Sequence, residues 1–163
     1  MARYGAVRFD RVVLVGGGAI PYTALFARLR LNKPTFVIER NVACYLACLL
    51  LLRRLNLSGS IHVVRGDGER YSGYAHSLVI VPLHMCNKQE IVDCAMRGRG
   101  NVVVVRQPTA EYAGRLESVR FDAGCTRVHH KTKPPLTSVF MTSAPQPQQP
   151  NSPCQKRLLI KLS

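Results

Sequence analysis

Short apolar runs rich in β-branched residues alternate along the first two thirds of the chain with longer segments of mixed polarity. Runs of that kind are typical of strands buried on both faces, and the segments between them have the spacing of helices. The pattern predicts five strands, at Val12–Val15, Thr35–Ile38, Ser60–Val64, Ser77–Leu83 and Asn101–Val105. It predicts three helices, at Tyr22–Leu31, Val42–Leu52 and Lys88–Arg97. Strands that alternate with helices in this way predict an α/β fold with a doubly wound, mainly parallel sheet.

Three glycines directly follow the first strand. Gly16, Gly17 and Gly18 allow a sharp turn and a close approach of the backbone to a ligand. Pro21 is compatible with the start of a helix, because a proline in the first turn forfeits no intrahelical hydrogen bond. We therefore expect the next helix to begin there. A strand, a glycine turn and a helix start together are typical of the opening of a nucleotide-binding βαβ unit. The alternative is a tight turn that binds nothing.

Acidic residues follow the second and third strands. Glu39 ends the second strand, 23 residues after Gly16, where a carboxylate can accept both hydroxyls of an adenosine ribose. Asp67 lies in the loop Gly66–Gly68 after the third strand and is placed to bind the amino group of an adenine. The alternatives are an exposed surface glutamate and an ordinary turn.

The chain of 163 residues is strongly basic, with a formal net charge of +14. Such a charge attracts anionic partners, nucleic acid among them. The basic residues are spread along the chain rather than gathered in one run. The net charge is therefore the only support in the sequence for a nucleic-acid partner.

The cysteine pattern and the apolar runs indicate the cellular location of the protein. Six cysteines, at positions 44, 48, 86, 94, 125 and 154, include no C-x-x-C pair, which is typical of reduced thiols in an intracellular chain. We expect no metal site. No secretory signal precedes the first strand, which predicts a cytoplasmic protein. The longest apolar run, Val42–Leu52, is too short to span a bilayer, so no membrane partner is expected.

The composition changes after residue 116. Six of the ten prolines lie between Pro134 and Pro153, and residues 144–153 are rich in proline and glutamine. Such a segment buries too little apolar surface to offset the entropy of ordering it. The sequence predicts a folded domain over 1–116 and a low-order tail over 117–163, mostly disordered across 124–156, with a short edge strand at Leu158–Leu162. A shortened or out-of-frame coding end would give the same shift.

Four stretches together resemble a known family. V-L-V-G-G-G-A-I-P-Y-T, F-V-I-E-R, V-V-R-G-D-G and L-V-I-V-P-L are similar to the S-adenosylmethionine-binding core of class I methyltransferases, and most closely to nicotianamine synthases. Members of that family have a G-x-G-x-h-P-x-T signature, which Gly16, Gly18, Ile20, Pro21 and Thr23 match. The resemblance runs from about Phe9 to Arg106. It implies a Rossmann-like sheet of the class I methyltransferase type.

The resemblance implies a transferase that uses S-adenosyl-L-methionine as group donor and a small molecule as acceptor. Nicotianamine synthases move the aminocarboxypropyl group onto an amine to make a metal chelator, whereas methyltransferases move the methyl group. A homo-oligomer is left open, and the catalytic residues are unassigned. The implied cofactor-binding residues are Gly16, Gly17, Gly18, Pro21, Thr23, Glu39, Arg40, Gly66, Asp67, Gly68, Val81, Pro82 and Leu83.

The chain departs from the family pattern at three places. The family has a helical domain with a catalytic glutamate before the glycine strand, where only about ten residues stand here. Its aspartate opening the fourth strand is replaced by Ser77, and its glycine-arginine pair falls later, at Gly114 and Arg115. Two alternatives follow: a small methyltransferase recruited to nucleic acid, although P-L-H-M lacks the N-P-P-Y type of motif, or a non-catalytic cofactor-binding module.

Overall fold

The computed structural model describes residues 8–98, 101–108, 119–120, 125–130 and 136–142. The strands within these ranges are β1 (Arg11–Val15), β2 (Thr35–Glu39), β3 (Ile61–Arg65), β4 (Ser77–Val81), β5 (Val102–Pro108), β6 (Thr126–His130) and β7 (Leu136–Thr142). The helices are α1 (Tyr22–Leu31), α2 (Val42–Arg54) and α3 (Lys88–Arg97), with a 3₁₀ turn at Gly68–Arg70. The five strands and three helices predicted from the sequence are all present.

The strands form one sheet in the order β3-β2-β1-β4-β5-β7-β6. Strands β1 to β5 run parallel, whereas β7 pairs antiparallel with β5, and β6 pairs antiparallel with β7. The order reverses at β1, whose neighbours are β2 on one side and β4 on the other. The prediction of a doubly wound, mainly parallel α/β sheet is confirmed.

The sheet separates two apolar clusters, because side chains alternate between its faces. On one face, Val13, Val79 and Val103 pack with α3 through Ile91. On the other face, Leu14 packs with α1 and α2, whose contributions are Ala24, Cys48 and Leu52. Helices therefore cover both faces of the parallel strands, which are buried and apolar as such strands require.

The predicted tail contains two strands of the sheet. β6 and β7 lie within 117–163, so the sheet continues past residue 116, and the expectation of disorder across 124–156 is wrong for these strands. β7 lies between β5 and β6, and its Val139 and Met141 are buried with the core of the α3 face. The strands on both sides of β7 pair with its backbone N–H and C=O groups. The spacing of apolar residues in the sequence does not reveal this pairing. The edge strand expected at Leu158–Leu162 lies outside the described residues.

None of the described helices is long and apolar enough to cross a membrane. The five cysteines within the described ranges are free thiols. Cys48 is fully buried, and desolvation, with a smaller contribution from the charge of Glu39, raises the pKa of its thiol. It serves as a small apolar side chain between α2 and the sheet.

Candidate functional site

A cavity of about 260 Å³ opens at the carboxyl ends of the parallel strands. It lies where the strand order reverses between β1 and β4, which is where open α/β sheets bind ligands. Loops that follow four neighbouring strands supply its wall. The lining residues are Val15, Gly16, Gly18, Ile38, Glu39, Arg40, Gly66, Asp67, Gly68, Glu69, His84, Met85, Cys86 and Ile91.

The three glycines after β1 are required for different reasons. Gly16 and Gly18 have φ angles of +76° and +64°, a backbone conformation that residues other than glycine adopt at a cost in energy. A Cβ at Gly17 would collide with the buried side chain of Val37, whereas one at Gly18 would meet only open space. A Cβ at Gly16 would collide with the thioether of Met85. Gly17 thus permits packing against β2, and Gly16 and Gly18 form the cavity surface.

Glu39 connects the glycine turn to the start of α2. Its Oε2 accepts a hydrogen bond of 2.8 Å from the Gly18 N–H, and its Oε1 accepts one of 2.8 Å from the Asn41 N–H. The side chain is only 7% exposed, so the alternative of an exposed surface glutamate is wrong. A carboxylate has about four acceptor positions, so each oxygen keeps capacity for a ligand hydroxyl.

The loop after β3 contributes an acidic side chain with no internal partner. Asp67 lines the cavity, and its carboxylate makes no hydrogen bond or ion pair with the described residues. Gly68 is buried against Val15, and its carbonyl accepts a 2.8 Å hydrogen bond from the Tyr74 hydroxyl. Burial, followed by the effects of Cys94 and Tyr71, raises the Tyr74 pKa. The hydroxyl therefore stays protonated and holds the loop in place.

The loop after β4 lies next to the loop after β3 in the cavity wall. His84, Met85 and Cys86 line it. Asn87, with a φ angle of +57°, donates a 2.6 Å hydrogen bond from its side chain to Oε1 of Glu69. This hydrogen bond joins the two loops. Sequence reasoning missed these residues, although their position after β4, which pairs with β1, places them near the glycine turn.

Several predicted site residues lie away from the cavity surface. Pro21 precedes α1, and its carbonyl accepts a hydrogen bond from the Leu25 N–H, while Thr23 lies in the first turn of the helix. Val81 is buried in the core of the α3 face. The remaining predicted residues that do not line the cavity are Gly17, Pro82 and Leu83.

Ser77, one of the positions at which the chain differs from the family, does not line the cavity. Ser77 is buried at the amino end of β4, where its N–H donates to the Asn101 side chain at 3.1 Å. Gly114 and Arg115 lie outside the described residues.

The cavity gathers carboxylates in a chain that is otherwise basic. Glu39, Asp67 and Glu69 line it beside Arg40 and His84, although the whole chain has 9 acidic residues against 23 lysines and arginines. Such a wall favours a ligand that has hydroxyls, an amino group or a positive charge over a polyanion. Within the described ranges, no group of three or more His, Cys, Asp or Glu side chains could hold a metal ion.

Comparison with known proteins gives matches at the level of structure. No protein-family model and no curated protein sequence matches the chain. A mutant of MtNAS in complex with S-adenosylmethionine matches with a TM-score of 0.69 and 21% identity, over 85% of this chain and 56% of that chain. MtNAS in complex with MTA and tNA matches with a TM-score of 0.70 and 21% identity, over 85% and 55%.

Methyltransferases match as well. The human methyltransferase 10 domain containing protein has a TM-score of 0.62 and 11% identity, over 81% of this chain and 70% of that chain. The fold is the Rossmann-like fold of class I methyltransferases. At these identities the matches show the fold alone. The chain spans about half the length of the MtNAS structures.

Proposed function

We propose that the cavity binds S-adenosylmethionine and that the chain is a transferase that uses it as group donor. The observation that carries the proposal is the pairing of Glu39 with Gly18. This pairing fixes a buried carboxylate on the cavity wall at the end of β2. A carboxylate held there, beside a glycine turn that lets a ligand approach, is suited to the two hydroxyls of a ribose.

The other cavity residues fit the remaining parts of the cofactor. Asp67, which has no partner among the described side chains, would accept from the amino group of the adenine. Gly16 and Gly18 leave room for the backbone to approach the ligand closely. The acidic wall also suits the positive charge of the sulfonium. When bound, the cofactor supplies an electrophilic carbon next to that sulfonium, and the cavity's contribution is to align it with an acceptor.

We propose further that the transferred group is the aminocarboxypropyl group and that the acceptor is an amine, as in nicotianamine synthases. The support is the match of Pro21 and Thr23 to the family signature, together with the likeness to MtNAS. The second candidate is methyl transfer. The support for methyl transfer is the match to the human methyltransferase 10 domain containing protein, which extends over 70% of that protein's chain.

The leaving product separates the two reactions. Loss of the aminocarboxypropyl group leaves methylthioadenosine, whereas loss of the methyl group leaves S-adenosylhomocysteine. We therefore expect protein incubated with S-adenosylmethionine and a panel of amines to release methylthioadenosine, measured by chromatography. The Glu39→Ala variant serves as the control for spontaneous breakdown of the cofactor. Release of S-adenosylhomocysteine would favour methyl transfer, and neither product above the control would contradict both reactions.

We also propose a cellular location for the protein and a class of acceptor for the reaction. The free thiols of the described cysteines support a cytoplasmic location. The acidic cavity supports a small-molecule acceptor over a nucleic acid, because phosphates would be repelled where the chemistry occurs.

A further inference from the structure

The loop after β3 is tied to the rest of the fold on both sides of Asp67. Before it, the Gly66 N–H donates a 3.2 Å hydrogen bond to the backbone carbonyl of Glu39. After it, the Gly68 carbonyl accepts a 2.8 Å hydrogen bond from the buried Tyr74 hydroxyl. The carboxylate of Asp67 lines the cavity and makes no hydrogen bond with the described residues. The fold therefore fixes the backbone of Asp67 and leaves its carboxylate available to a ligand.

The packing around Gly68 leaves this part of the loop little room to move. A Cβ at Gly68 would collide with the side chain of Val15, and it would lie 3.3 Å from the Ile91 side chain and 3.3 Å from the Tyr74 hydroxyl. Gly68 is thus enclosed by the end of β1, the first turn of α3 and Tyr74. A shift of the loop would require one of these buried groups to move.

Tyr74 is itself held by its neighbours. Its side chain is 2% exposed. The ring of Tyr71 meets it edge to face, with a distance of 5.1 Å between the ring centres. The Tyr71 carbonyl in turn accepts a hydrogen bond from the Cys94 thiol of α3. The Tyr74 hydroxyl therefore holds the Gly68 carbonyl in one place.

The tie at Gly66 relates Asp67 to the carboxylate at the end of β2. Gly66 is bonded to the backbone of Glu39, and the Glu39 carboxylate accepts from the Gly18 N–H. Both carboxylates of this wall therefore belong to one hydrogen-bonded unit. A ligand placed by two hydroxyls on Glu39 would present the same edge of its base to Asp67 each time it binds.

We propose that Tyr74 is a positioning residue that makes the cavity selective for adenine over a base with an oxygen in place of the amino group. The inference rests on the proposed function, in which Asp67 accepts from that amino group. A carboxylate accepts from an amino group and is repelled by an oxygen in the same place. The ring nitrogen beside that oxygen has a hydrogen, however, and a carboxylate that shifted toward it would bind the wrong base. The bond from Tyr74 to Gly68 prevents this shift.

Calorimetric titration of the full chain with two ligands tests the proposal. They are S-adenosylhomocysteine and S-inosylhomocysteine, which has an oxygen in place of the adenine amino group. We expect the unaltered chain to bind the first at least about tenfold more tightly than the second. Tyr74→Phe removes only the hydroxyl and should reduce this ratio to about threefold or less.

Tyr71→Phe is the matched control. The Tyr71 hydroxyl lies next to Gly73 and makes no hydrogen bond with the described residues, so this variant should keep the ratio of the unaltered chain. A purely structural role of Tyr74 would weaken both ligands equally and leave the ratio unchanged.

Asp67→Asn is a second variant that does not depend on the folding of Tyr74→Phe. Asp67 has no side-chain partner among the described residues, so the variant should fold as the unaltered chain does. The amide of asparagine can donate to the oxygen as well as accept from the amino group. The ratio of the two affinities should therefore approach one.

Several results would overturn the inference and leave the proposed function standing. They are equal binding of the two ligands by the unaltered chain, an unchanged ratio in Tyr74→Phe, an equal loss of selectivity in Tyr71→Phe, and a retained ratio in Asp67→Asn. Binding of neither ligand by the folded, unaltered chain would overturn the proposed function and this inference together.

Discussion

The two walls of the cavity are held in place by different kinds of interaction. The first wall, Gly16–Gly18 with Glu39, is fixed by backbone conformation and by a carboxylate that accepts backbone N–H groups. The second wall, Gly66–Glu69 with His84–Asn87, is fixed by side chains that reach from one segment to another. Backbone requirements leave glycines in the sequence, whereas a bond between side chains 18 positions apart leaves no local pattern.

The largest effect is expected from removing β7 and β6, the two strands beyond β5 in the sheet, because both walls depend on the sheet. Deletion of residues 124–163 removes β6 and β7 and with them the buried Val139 and Met141. We expect the melting temperature to fall by more than about 10 °C, or the protein to aggregate, since each lost apolar side chain contributes about 1.5 to 3 kcal/mol. Thermal unfolding by circular dichroism checks this. A matched truncation ending at Thr142 keeps both strands and should melt close to the full chain; equal melting of both truncations would contradict the account.

Replacement of Glu39 by Ala attacks the first wall directly. It removes the acceptor of two backbone N–H groups and, in the proposed function, of the ribose hydroxyls. Affinity for S-adenosylhomocysteine should fall by about 1.5 to 3 kcal/mol, on the order of 10- to 150-fold in Kd. Calorimetry measures the change. The control is Glu90→Ala on the exposed side of α3, which should bind as the unaltered chain does. An unchanged affinity for Glu39→Ala would remove Glu39 from the site.

Gly17→Ala tests the packing of the first wall. The added Cβ collides with Val37, which is fully buried, so the free energy of unfolding should fall by about 1 to 3 kcal/mol. Gly59→Ala is the matched control, because a Cβ there meets nothing within 4 Å. Denaturant unfolding compares the two. Equal stabilities would mean that the turn adjusts freely and that the first wall is not fixed by packing.

Asn87→Gly gives the smallest effect and addresses the second wall. The φ angle of +57° suits glycine better than asparagine, so the melting temperature should stay the same or rise. Loss of the bond to Glu69 should nevertheless weaken binding of S-adenosylhomocysteine about three- to tenfold, from a hydrogen bond worth about 1 kcal/mol. Asn56→Gly, at a φ angle of +55° and outside the cavity lining, is the control. Equal affinity in the two variants would show that the second wall needs no such bond.

The difference between the two walls also explains which parts of the structure could be predicted from the sequence. Strands β1 to β5 and the glycine turn follow from apolar runs and from glycines, because burial on both faces and positive φ restrict the residue types directly. β7 was missed because its apolar residues do not alternate regularly with polar ones, and because its pairing with a strand on each side is visible only in the fold. His84, Met85 and Cys86 were missed because only the pairing of β4 with β1 brings them to Gly16.

The most direct test of the central claim is calorimetric titration of the full chain with S-adenosylhomocysteine and, separately, with NAD. If Glu39 binds the ribose and Asp67, which has no partner among the described residues, binds the adenine, the full chain has one site for S-adenosylhomocysteine with a Kd on the order of micromolar. NAD should bind at least about tenfold more weakly, because its pyrophosphate would meet Glu39, Asp67 and Glu69. Tighter binding of NAD, or no binding of S-adenosylhomocysteine by folded protein, would contradict the account.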